Sequence, residues 1–110
     1  VDTVRRCYAP QARIWHNVDG KVQTVDENIK GVHWIHKVLA GVRYDVKRRV
    51  AIPGGFVQEH VLRGTLPSGE AFAMPACVIC TVADGVIVTL DEYLDSAHTK
   101  PLVAAGQRGR

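Results

Sequence analysis

From Val42 to Leu94 the chain alternates long strand-forming runs with tight-turn signals and has almost nothing in between. The runs are "VRYDVKRRVAI", "FVQEHVLRGTL", "EAFAMPACVICTV" and "VIVTLDEYL", and the punctuation between them is "PGG", "PSG" and "ADG". Connections this short join neighbouring antiparallel strands, so half of the chain is committed to a meander. The third run is apolar on both faces, which marks a central strand covered from both sides.

The first 41 residues supply what such a sheet packs against. "YAPQA" is expected to close an opening helix at Pro10, and "ARIWHN" follows as a short strand ended by a "VDG" turn. Thr24 with Glu27 three residues later forms a capping-box signal. "VDENIKGVHWIHKVL" then places apolar residues at 25, 29, 32, 35 and 39, one face of a helix that Gly41 is expected to end. The fold class expected is α+β, a curled antiparallel sheet with helices on one face.

At 110 residues and 46% hydrophobic content the chain can bury one core. The domain is expected over residues 1–103, with 104–110 as a flexible basic tail. The sole methionine is Met74 and the chain opens in what reads as the last turns of a helix, so the domain is expected to lack its first helix. Basic residues cluster in "KRR" and "RGR" with no aromatic interleaving, which argues against nucleic acid as a partner. No apolar run is long enough for a membrane span and no secretory leader is visible, so the default location is cytoplasmic.

Several side chains sit where packing alone does not ask for them. In "VIVTLDEYLD" every second residue from Val86 is apolar until Glu92, which places a carboxylate on the face directed at the core. Such an acid either holds and exchanges a proton in a pocket or pairs with a cation, and Arg48 interrupts the face of Val42, Tyr44, Val46, Val50 and Ile52 in a comparable way. His60 titrates near neutrality and suits proton transfer. Asn17 can orient a water or a carbonyl, or serve the turn that follows it. Trp15 offers an apolar wall, and Tyr44 and Leu90 extend one. Cys77 and Cys80 lie on opposite faces of a strand, about 10 Å apart, and read as packing thiols. His33 and His36 are three apart on a helix without further ligands at metal spacing, so no metal site is expected. No Gly-rich phosphate loop is present, and no cofactor is expected.

Taken in order, "YAPQARIWHN", the helix after it, "LPSG", "PACVICTVADGVI" and "DEYLDSAHTKPL" resemble the nuclear-transport-factor-2-like superfamily, in its SnoaL-like and limonene-epoxide-hydrolase-like branch. The resemblance implies a cone-shaped sheet around a ligand cavity, a cystatin-like α+β roll with helices over the concave face, often paired through the outer sheet face as a homodimer. By the epoxide hydrolase pattern, Trp15 and Asn17 match the positions that hold the attacking water, and Glu92 before Tyr93 matches the acid. The remaining arginine and aspartate of that pattern fall on Glu59 and Val61, so its acid–base set is incomplete here. By the SnoaL-type cyclase pattern, His60 and Asp95 are the nearest equivalents. The resemblance thus implies catalytic roles for Glu92, His60, Asn17 and Asp95, with Trp15, Arg48, Tyr44 and Leu90 against the substrate. The expected substrate is a mostly apolar ring compound bearing one or two oxygens, turned over by an isomerase, cyclase or hydrolase. The alternative is a binding or dimerisation module without chemistry.

Overall fold

The computed structural model describes residues 5–108. Its strands are β1 (Tyr8–His16), β2 (Val22–Gln23), β3 (Ala40–Ile52), β4 (Gly55–Thr65), β5 (Ala71–Ala83) and β6 (Val86–Leu94). Helix α1 (Val25–Val38) lies between β2 and β3. A 3-10 turn (Ser96–Thr99) and helix α2 (Lys100–Arg108) follow β6. The six strands form one curved, open sheet in the order β2-β1-β6-β5-β4-β3. All neighbours are antiparallel except β1 and β6, which run parallel.

The three hairpins form where the turn signals stand. Asp84 and Gly85 both take positive φ, 53° and 80°, the backbone that a two-residue hairpin requires and that Asp-Gly adopts readily. Helix α1 starts on the capping box: Thr24 Oγ1 accepts from the Glu27 amide at 3.2 Å, and Glu27 Oε1 accepts from the Thr24 amide at 2.9 Å. It buries Val25 and Ile29 against Ala9 and Ala12 of β1. A second cluster, Leu39, Leu62, Phe72, Met74 and Leu102, closes the other end of the same sheet face.

Three local expectations are corrected. Residues 5 and 6 are helical but β1 begins at Tyr8, so Pro10 lies in a strand; residues 1–4 of the expected opening helix fall outside the described residues. Pro10 sits in the stretch where the β1–β6 register shifts between Tyr8 and Arg13, a place where a missing amide hydrogen breaks no regular ladder. Helix α1 ends at Val38 with Leu39 as its cap, and Gly41 lies inside β3 in the left-handed region (φ 63°), where the β3–β4 register is also irregular. Residues 104–108, expected as tail, continue α2, because Leu102 and Ala105 face the core and are 4% and 5% exposed.

Candidate functional site

Register assigns each strand residue to a face, and one row of the covered face carries most of the chemistry. Across the sheet the partners run His16↔Glu92, Glu92↔Val78, Val78↔Gln58 and Gln58↔Arg49. The next row holds Leu94, Ala76, His60 and Val46, and on the other side of the polar row stand Ile14, Leu90, Cys80 and Phe56. Polar groups therefore stand at both ends of an apolar floor made by Val78, Ala76, Cys80 and Leu90. The backbones of β6 and β4 are two strand spacings apart, roughly 10 Å.

At the first end, Glu92 Oε1 meets His16 Nε2 at 3.1 Å, with side chains only 21% and 18% exposed. The carboxylate holds the imidazole of His16 above its ordinary pKa through this hydrogen bond, against the opposing effect of burial. At the second end, His60 is 5% exposed. Its Nδ1 lies 2.9 Å from the Gln58 amide nitrogen, and Gln58 Oε1 accepts from Arg49 Nε and Nη2 at 2.8 and 2.5 Å. Burial pushes the His60 pKa down and the charge of Glu92 opposes it. Two histidines on one face are thus driven in opposite directions, a contrast that separates a basic group from a neutral one at the same pH.

Two phenols complete the surroundings. Tyr44 meets His60 edge to face, with centroids 5.3 Å apart. Half of its surface is open at the rim, yet its phenol is raised above the ordinary range, by desolvation first and Glu92 second. Tyr8 is raised further, by burial first, with Cys80 and Glu92 adding to it. Both remain neutral O–H donors at physiological pH. The Cys80 thiol, buried in the floor, is pushed up to about 11, mainly by burial.

Of the residues singled out in the sequence, Glu92, His60, Tyr44 and Leu90 are on this face. The others are placed elsewhere. Trp15 pairs with Asp91 on the opposite face and stacks edge-on against Tyr93 at 5.2 Å. Asn17 spends both ends of its amide on one backbone unit, donating to the Leu94 carbonyl at 3.0 Å and accepting from the Leu94 amide at 2.9 Å. Asp95 caps the 3-10 turn by accepting from the Ala97 amide at 2.9 Å. Arg48 does not reach Glu92, because a register shift between Val46 and Arg48 turns it to the outer face beside Glu59, 3.9 Å away. The same shift brings Arg49 inward.

Sequence reasoning missed His16, Arg49, Gln58 and Tyr8. Alternation through Ala12, Ile14 and His16 could have found the first, and the two-residue spacing of Gln58 and His60 the third. No three metal-ligating side chains converge among the described residues, and Cys77 and Cys80 project to opposite faces as thiols. Two surface clefts, of about 290 and 270 Å³, are lined by other residues, one around Ser68, Phe72 and His98 and one around Tyr8, Pro10 and Asp26. No described helix is long and apolar enough to cross a membrane.

Residues 1–90 match the sequence profile of the SnoaL-like domain. Among solved structures, IdmH of Streptomyces antibioticus, a proposed polyketide cyclase, superposes with a TM-score of 0.80 at 19% identity, over 94% of this chain and 86% of its own. A proposed SnoaL-like polyketide cyclase from Jannaschia sp. CCS1 gives 0.75 at 17% identity, over 90% and 74%. A protein with a ketosteroid isomerase-like fold from Catenulispora acidiphila, in complex with trimethylamine, gives 0.67 at 17%, over 80% and 69%. At such identities the likeness is one of fold. No curated protein sequence matches this chain.

Proposed function

Since this chain belongs to the SnoaL-like domain family, we propose that its covered sheet face binds an oxygenated ring compound and moves a proton on it. The observation that carries this reading is the polar row: Glu92 anchored on His16 at one end, His60 at the other, and an apolar floor between them. In this reading a planar ring lies over Val78 and Ala76, with a carbonyl toward His60 and an acidic C–H toward Glu92. Oε1 of Glu92 is engaged by His16, so Oε2 is the atom that takes the proton from the carbon next to the carbonyl. The electron pair moves onto the carbonyl oxygen, where an N–H of His60 and the Tyr44 phenol stabilise the enolate. Return of the proton at another carbon gives an isomerase, and attack of the enolate carbon on a second carbonyl gives a cyclase. The solved proteins of like fold that are described as polyketide cyclases favour the second outcome.

The test is hydrogen exchange in D2O with cyclic 1,3-diketones and related polycarbonyl ring compounds. The expected result is protein-dependent loss of the C–H signal between the carbonyls, abolished in Glu92→Gln and reduced in His60→Asn. Saturable binding without exchange would instead assign a carrier role. Exchange that survives in Glu92→Gln would overturn the assignment of the base. The same reading includes a second copy packed on the outer sheet face, where Ile79 and Tyr93 are 37% and 44% exposed. Sedimentation should show a dimer at micromolar concentration, and monomer alone would remove that part.

A further inference from the structure

Arginine donates and has no lone pair to offer, so the Gln58 atom that receives both Arg49 Nε and Nη2 is the carbonyl oxygen. The amide nitrogen must then face His60 Nδ1, 2.9 Å away, and donate to it. A ring nitrogen that accepts a hydrogen bond carries no proton. The single hydrogen of a neutral His60 is therefore on Nε2.

We infer that Arg49 and Gln58 are positioning residues, a guanidinium–amide relay that holds His60 neutral with its proton on Nε2. His60 thereby offers a ligand on the covered face a fixed N–H donor. This deepens the function proposed above and rests on it for its use, though not for its chemistry.

The relay exists because of the irregularity in β3. Without the register shift between Val46 and Arg48, simple alternation from Val46 would put Arg48 inward and Arg49 outward. With it, Arg49 pairs with Gln58 and lies over the Phe56 ring, 5.7 Å from its centroid. Protonation of His60 would set an Nδ1–H against the Gln58 N–H, two donors facing each other. The other charged or titratable groups around the ring are Tyr44 and Arg49 on β3 and Glu92 on β6, while β5 presents Ala76. Glu92 favours a charged His60, so the relay acts together with burial against it.

The experiment is a long-range 1H–15N correlation spectrum of the ligand-free protein at pH 8, with the His60 signals assigned by their loss in His60→Asn. The wild type should show a pyrrole-type Nε2 and a pyridine-type Nδ1. Gln58→Glu replaces the amide donor with an acceptor, and should move the proton to Nδ1 and raise the titration midpoint of His60. Arg49→Leu, at an exposed position, lets the amide rotate and should give a mixture of tautomers, which decides the matter even where Gln58→Glu does not fold. A wild type with its proton on Nδ1, or a tautomer unchanged in Arg49→Leu, would overturn the inference. The measurement involves no ligand, so a failure of hydrogen exchange counts against the proposed function alone.

Discussion

Glu92→Gln should destabilise the protein in acid and barely affect it in base. The carboxylate and His16 are about four-fifths shielded from solvent and 3.1 Å apart, so surface screening removes only part of their interaction. With the imidazole protonated, the contact is a hydrogen bond between charged groups, worth about 1.5–3 kcal/mol. With the imidazole neutral, a glutamine oxygen accepts from Nε2–H much as the carboxylate does, and the difference falls below about 1 kcal/mol. The direction follows from the raised pKa of His16 in the fold. A raised histidine contributes stability that is fully present below its unfolded value of about 6.5 and disappears as the pH climbs through the folded value. The lowered pKa of His60 adds to the effect, since Glu92 is the charge that eases its protonation in acid. At about 4–8 °C per kcal/mol for a domain near this size, Tm should fall by roughly 6–24 °C at pH 5.5 and by a few degrees at pH 9. Thermal melts of both proteins at the two pH values read this directly, and the same substitution in a His16→Gln background should lose most of its pH dependence. A loss of equal size at pH 5.5 and pH 9 would refute the pairing.

Asn17→Ala removes two hydrogen bonds to Leu94 and should cost about 1–3 kcal/mol in urea unfolding, while Asn17 takes no part in the proposed hydrogen exchange. Arg48→Ala, at an outer position with a long and exposed ion pair, should stay within about 0.5 kcal/mol of the wild type in the same assay. Cys80, buried with its thiol pushed up to about 11, should resist a thiol reagent at pH 8 until denaturant is added, and rapid labelling in the folded protein would contradict its place in the floor.

The sequence made local structure legible and long-range structure much less so. Thr24 and Glu27, the Asp84-Gly85 turn and the alternation of the last strand each state their geometry within a few residues. Glu92 stood out for the same reason, as a break in a period of two. Its partner did not, because β1 meets β6 by a parallel pairing between distant segments that leaves no local signal. The faces of Arg48 and Arg49, two identical side chains, were hidden by the register shift between Val46 and Arg48, and no rule of alternation survives such a shift. Trp15 and Asn17 were matched to site positions through family likeness, although alternation from Ile14 already placed both on the other face.

The pairing of β1 with β6 also orders events in time. The three hairpins close loops of two to five residues, whereas Asn17 reaches a partner 77 positions away, and closing that loop costs more chain entropy. The meander of β3 to β6 is therefore expected to assemble before β1 docks on its edge. Until then Glu92 sits on an unfinished border strand, with neither His16 nor the Asn17 clamp in place. Substitutions at those two residues should mainly speed unfolding and leave the folding rate nearly unchanged, so that the contact between His16 and Glu92 marks the last step of folding.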